Sequence, residues 1–128
     1  YVGMGRTEEG LKTALKLLKD IRKEFETNLF IPGSTEGVNI ELEKALRLND
    51  FITMGELIAY DALNRNESCG GHFREEYQTE EGEAKRDDEN YFYVSCWEYQ
   101  GSDDVAPVLY KEPLVYEAIK VQTRNYKS

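Results

Sequence analysis

Four kinds of chemistry can be read into one stretch of this chain, Asn66 to Asn90. The stretch holds the only histidine, one of the two cysteines, a Gly-Gly pair and a cluster of Arg and Asp. Cys69-x-x-His72 has the ligand types of a zinc site, with Cys96 as a third donor. A closed zinc site takes four ligands and an open one takes three plus water, so this set is short. Cys69 and His72 could instead be a nucleophile and its base, although such pairs usually meet in space from distant segments. Gly70-Gly71 has neither a strand before it nor the spacing of a phosphate-cradling loop. Glu75, Glu76, Asp87 and Asp88 offer paired carboxylates, but such runs are more often solvated or paired with Arg.

The competing reading is structural. Gly70-Gly71 permits backbone angles that other residues avoid, so it can stop a helix and turn the chain sharply. His72, Arg74, Arg86, Asp87 and Asp88 can then form a hydrogen-bonded knot, since Arg is suited to bidentate pairing with Asp. Such a knot would fix the loop against a neighbouring domain.

The elements on either side must position that knot. Thr7 is suited to cap a helix whose first turn carries Glu8 and Glu9. Leu11, Ala14, Leu15, Leu17, Leu18, Ile21 and Phe25 follow at helical spacing, which predicts a helix over about 8–26. Pro32-Gly33-Ser34 marks a turn. Asn39 can cap a second helix over about 39–65, apolar around much of its circumference, with Asn49-Asp50 and Gly55 as weak points. A short turn makes the two helices antiparallel neighbours. Their apolar stripes are not covered by each other, which implies a third partner: a helix outside this chain, the C-terminal hairpin or a second copy. The isolated chain is accordingly expected to self-associate through an exposed apolar patch. After the junction, Tyr91 to Tyr99 is rich in aromatic and β-branched residues and reads as a strand. Val108 to Lys111, between Pro107 and Pro113, reads as a second strand, and Leu114 to Val121 as a further extended arm. The expected organisation is one domain in three parts, residues 1–66, 67–90 and 91–128.

The totals narrow the function. A chain of 128 residues with 40% apolar residues is the size of one domain. A net charge of −9 argues against nucleic acid and against direct binding to an anionic membrane surface. No apolar run approaches the roughly 18 residues of a membrane span. Two cysteines read as reduced thiols in a cytosolic setting. The chain opens Tyr1-Val2-Gly3 without a methionine, which fits a piece of a longer polypeptide.

Two motifs carry more than this chemistry. Glu67-Ser68-Cys69-Gly70-Gly71-His72-Phe73-Arg74, followed by Arg86-Asp87-Asp88-Glu89-Asn90, resembles the C-terminal domain of the flavoprotein subunit of succinate dehydrogenase and fumarate reductase. The family pattern is E-S-R-G-A-H-x-R, a variable acidic loop, then R-D-D-x-N. Cys69 stands where most members have Arg, and Gly71 where they have Ala. The form E-S-C-G-G-H-F-R resembles a bacterial branch that works with an iron–sulfur subunit and a dihaem cytochrome b anchor. The resemblance extends from Val2-Gly3-Met4-Gly5-Arg6 to Trp97-Glu98-Tyr99 and Lys111-Glu112-Pro113-Leu114, essentially the whole chain.

The resemblance implies a mainly α fold: an antiparallel helical hairpin from a three-helix, spectrin-like bundle, then an irregular loop and a small β-hairpin tail. The first bundle helix would lie upstream of Tyr1. It further implies a parent enzyme that interconverts succinate and fumarate, with FAD and the substrate-binding residues upstream. No catalytic, cofactor or metal residue is carried over to this chain. Glu67, Ser68, Gly70, Gly71, His72, Arg74, Arg86, Asp87 and Asp88 receive a structural or docking role. The implied partners are the FAD-binding domain, the iron–sulfur subunit and, indirectly, a membrane cytochrome b. The implied location is the cytoplasmic face of the cell membrane. Two alternatives stay open: the same domain from an aspartate oxidase or adenylylsulfate reductase type of flavoenzyme, and a free-standing acidic interaction module.

Overall fold

The structure is a computed structural model and describes residues 1–122. Helix α1, Glu8–Asn28, starts at Thr7, whose Oγ1 accepts from the Gly10 N–H at 3.0 Å. Helix α2, Ile40–Asn64, starts at Asn39, whose Oδ1 accepts from the N–H groups of Glu41 and Leu42, both at 3.1 Å. Asn39 Nδ2 also donates to the Pro32 carbonyl at 3.2 Å. Gly33 beside it has φ +119° and no room for a side chain, because a Cβ would fall 2.7 Å from Asn39 Nδ2. One side chain therefore both closes the connection and begins the next helix. Asn49-Asp50 and Gly55 do not interrupt α2.

The two helices run antiparallel. Leu11 near the start of α1 packs on Ala59 and Ala62 near the end of α2, while Leu18 meets Gly55 and Arg22 reaches Thr53 and Glu56 further along. A Cβ at Gly55 would sit 3.6 Å from a Leu18 methyl, so the glycine lets the helices approach. The core is small and its main cluster lies at one end of the hairpin, beside the junction: Leu11, Ala59 and Ala62, ringed by Val2, Leu15, Leu18 and Leu63, with Ala14 and Ile52 buried further along the helices. Leu17 and Ile21, which the spacing assigns to the apolar stripe of α1, are exposed, as are Leu46, Phe51, Met54 and Ile58 of α2. A two-helix hairpin has one shared seam, so a stripe wider than that seam is left in the open.

After the junction come a short helix α3, Asp88–Tyr91, and strands β1, Tyr93–Glu98, and β2, Val108–Pro113. The strands pair antiparallel from Tyr93↔Pro113 to Glu98↔Val108. The mainly helical hairpin with a two-stranded tail agrees with the expected fold class. Two local expectations are corrected. Tyr91 belongs to α3 rather than to a strand, because the Asp87 side chain accepts from the Asn90 N–H and starts a helical turn there. Leu114 to Val121 is not a strand. The last ladder bond runs from Leu114 N–H to the Phe92 carbonyl at 3.1 Å, and beyond it α3 has coiled away and offers nothing to pair with. The remainder of the predicted arm, residues 123–128, lies outside the described residues.

Contacts at both ends of β1 and in the strand connection hold the tail on the helices. Trp97 Nε1 donates to Asp61 Oδ1 at 2.8 Å, and its ring lies edge-on to Tyr60 with centroids 5.0 Å apart. In the connection between the strands, Asp103 lies 3.6 Å from Arg22, which also pairs with Glu56.

Candidate functional site

The junction is built around a tight turn. Cys69 and His72 exchange backbone hydrogen bonds of 2.8 and 3.0 Å, and Gly70 between them has φ +57°. Helix α2 has already ended at Asn64, so the Gly-Gly pair does not stop it as expected; Gly70 turns the chain instead. Gly71 has ordinary φ and open space around it.

The turn aims His72 back at the end of α2. His72 Nε2 lies 2.9 Å from the Arg65 carbonyl, and Nδ1 lies 3.2 Å from Arg6 Nη1. A guanidinium only donates and a carbonyl only accepts, so Nδ1 is the acceptor and Nε2 carries the proton. Burial lowers the pKa of His72, and the nearby cations Arg6, Arg74 and Arg65 lower it further against the opposing pull of the Arg65 carbonyl. The ring is thus a neutral spacer between two arginine residues. Both nitrogens are engaged, which leaves neither free as a base for Cys69 or as a metal ligand. Among the described residues, no three His, Cys, Asp or Glu side chains cluster as a metal site would require.

Arg74 is the centre of the arrangement. It is 1% exposed, yet it is a full charge. Its Nη1 donates to the Ala62 and Leu63 carbonyls at 2.9 and 3.3 Å, and its Nε donates to Glu76 at 3.0 Å. The other oxygen of Glu76 accepts from the Glu8 N–H at 2.6 Å. Helix α2 has no basic residue in its last turn, and Arg74 supplies that charge from outside the helix. Glu76 supplies a negative charge at the start of α1. The Arg74–Glu76 pair therefore bridges the negative end of one helix dipole and the positive end of the other. Burial pushes the Glu76 carboxyl up, but the N–H groups of Glu8 and Glu76 itself, with Arg74, hold it below the usual carboxylate range.

Backbone bonds lock the same place. Arg6 N–H donates to the Phe73 carbonyl at 3.0 Å, and Glu75 N–H to the Arg6 carbonyl at 2.8 Å, so Arg6 is paired with the backbone of the junction. Ser68 Oγ is buried; it accepts from the Arg74 N–H at 2.8 Å and lies 3.1 Å from the Arg74 carbonyl.

A second group surrounds Glu67, which is 2% exposed. One of its oxygens pairs with Arg65 at 2.7 Å and the other accepts from the Asp87 N–H at 2.9 Å. Arg65 also donates to the Tyr91 and Tyr93 carbonyls and faces both tyrosine rings. Arg86 pairs with Asp88 at 2.9 Å and reaches the Gln122 carbonyl. Asp87 caps α3.

The expected single knot is thus two groups. His72 and Arg74 close on the helix ends, and Arg86 pairs locally with Asp88. The link between them is Glu67, through the Asp87 backbone and not through an Arg–Asp pair. Arg6, Arg65 and Glu76 carry as much of the geometry as the motif residues, yet sequence reasoning gave none of them this role. The lack of a cation in the last turn of α2 is shared by α1, so that pattern alone did not single out Arg65 or Arg74.

Between α2 and β1 lies an open groove of about 510 Å³, lined among others by Arg6, Leu57, Ile58, Cys69, His72 and Val94.

This geometry has relatives. An FAD-dependent oxidoreductase of Methanocaldococcus jannaschii is 33% identical over 77 residues, which cover 60% of this chain and 13% of the relative. Escherichia coli quinol fumarate reductase FrdA has the same fold, with a TM-score of 0.75 and 22% identity over 94% of this chain and 20% of that one. Mycobacterium smegmatis Sdh1, solved in complex with UQ1, gives a TM-score of 0.71 and 25% identity over 88% of this chain and 18% of that one. This chain therefore spans about a fifth of the length of the solved chains it matches. The family described as fumarate reductase flavoprotein C-term matches residues 1–126, so the chain belongs to the fumarate reductase flavoprotein C-terminal family.

Proposed function

We propose that this chain is the C-terminal helical domain of an FAD-dependent flavoprotein subunit that interconverts succinate and fumarate. Its own role is structural and docking. It buttresses the upstream FAD-binding domain of the same polypeptide and helps form the contact surface for an iron–sulfur subunit, which links it to a membrane cytochrome b. Residues 1–66 supply the helical hairpin, 67–90 the clamp and 91–128 the tail. The parent lies on the inner face of the cell membrane through its partners. Among the described residues, no helix is long and apolar enough to cross a membrane.

The observation that carries the reading is the use of the motif residues. Arg74 and His72 are directed at the two helix ends and at the N-terminal segment, and Arg86 and Asp88 at each other. Each of these side chains has a hydrogen-bond partner within the domain, which fits a clamp.

An antibody to this chain tests the assignment on a blot of the source cells. The expected result is a band much larger than 14.8 kDa that fluoresces with covalently attached flavin. A single band near 14.8 kDa without flavin overturns it. Steady-state turnover of that larger polypeptide with succinate, and none with aspartate, distinguishes this subunit from the related aspartate-oxidising enzymes.

A further inference from the structure

The groove beside β1 brings three features together. The first is an open strand edge. The bond from Leu114 N–H to the Phe92 carbonyl fixes the phase of the antiparallel ladder. Phe92, Val94, Cys96 and Glu98 turn their backbone groups toward β2, so Tyr93, Ser95 and Trp97 turn theirs away from it. Arg65 takes the Tyr93 carbonyl. No other described residue bonds to the outward N–H and C=O groups of Ser95 and Trp97, and both residues line the groove.

The second feature is an unpaired cation. Of the six described arginines, Arg22, Arg47, Arg65, Arg74 and Arg86 each have a carboxylate partner. Arg6, half-buried in the groove wall, has only the Gly3 carbonyl and the neutral ring of His72. The carboxylate that shares the groove, Asp61, accepts from Trp97. That donor is neutral, so Asp61 keeps its own charge, and Arg6 is left as the described arginine without a carboxylate within ion-pair distance. The third feature is apolar wall. Leu57, Ile58 and Val94 stand 38%, 48% and 50% exposed around the same space.

An open strand edge is satisfied by extended backbone, and a half-buried guanidinium by a carboxylate. We propose that the groove receives an extended segment of a partner polypeptide. The segment adds to β1 as a third strand, pairs an Asp or Glu with Arg6, and lays an aliphatic side chain on Leu57, Ile58 and Val94. This rests on the docking role proposed for the domain, and it specifies the surface used and the chemistry of its occupant.

The test places the photo-crosslinking residue p-benzoylphenylalanine at Val94 in the full-length polypeptide within its assembly. Adducts are mapped by mass spectrometry. The expected adduct joins Val94 to one segment of another subunit with an Asp or Glu within a few residues of the attachment point. Arg6→Gln keeps a donor for His72 but removes the charge, and it lowers the adduct yield at least about tenfold. Ser95→Pro removes an outward N–H without touching a bond to β2 and has the same effect. An Arg6→Glu variant recovers the adduct when the mapped acid is changed to Lys. An adduct to a second copy, an adduct to the upstream part of the same polypeptide, a yield that Arg6→Gln leaves unchanged, or no adduct overturns the proposal. Flavin content and succinate turnover are measured on the same samples. If they are normal while the adduct fails, the groove assignment falls and the flavoprotein assignment stands.

Discussion

At the scale of single residues, the site depends on charges that have been taken out of water and given partners. Arg74 shows the cost of that arrangement. Replacing it with Met keeps most of its volume but leaves the Ala62 and Leu63 carbonyls without their donor and removes the cation from the end of α2. Arg74→Met is expected to lower stability by about 2–3 kcal/mol in urea unfolding, a buried-pair effect discounted because Glu76 is partly solvated. Glu76→Gln is expected to cost less than about 1 kcal/mol. Equal effects of the two changes would contradict the view that Arg74 acts mainly on the helix end. His72 gives a second residue-scale prediction. Its folded pKa lies below the unfolded value of about 6.5, so between those two values the unfolded chain binds more protons. The His72 contribution to stability is complete above about pH 6.5 and is lost as the pH falls through the folded value. Because the chain has a single histidine, one imidazole signal in a proton NMR titration reads this directly, and its midpoint is expected below 6.5. A midpoint at or above 6.5 would place His72 in water or beside a carboxylate. The types of these residues were legible in the sequence, but their partners were not. Arg6 and His72 are 66 positions apart, and no local pattern reports which backbone carbonyl a buried arginine will meet.

At the scale of elements, local signals were the most readable and long-range pairing the least. Thr7 and Asn39 announce both helix starts, and both act as caps. Asp87 is the same kind of residue in front of an aromatic run, and β propensity from Tyr91 onward hid the helical turn it starts. The Gly-Gly pair marked a turn, but its two members differ. Gly70 needs the left-handed region and Gly71 does not. Gly70→Ala is therefore expected to cost about 1–2 kcal/mol, and Gly71→Ala less than about 0.5 kcal/mol, by thermal or urea unfolding. If Gly71→Ala were the more damaging, the left-handed residue of the turn would have to be Gly71 instead.

At the scale of the whole molecule, the sequence disclosed an imbalance that the structure keeps. The helices share one seam with the main core cluster at its end, and Leu17, Ile21, Leu46, Phe51, Met54 and Ile58 remain exposed. An apolar surface of this kind is expected to drive the isolated chain into dimers or larger species at micromolar concentration in sedimentation experiments. Phe51→Glu together with Met54→Glu is expected to shift it toward monomer, and a wild-type chain that sediments as a clean monomer would count against the idea. The docking of the tail on α2 was not foreseeable, because the Trp97–Asp61 contact spans 36 positions. Trp97 is also the only tryptophan, and its indole sits against Tyr60 and a carboxylate, while the helical signal comes mainly from α1 and α2. The molecule thus carries its own optical reporter for the seating of the tail. Indole emission and far-ultraviolet dichroism that change together in denaturant mean that tail and helices melt as one unit, whereas emission that changes first means the tail lifts from a still-folded hairpin.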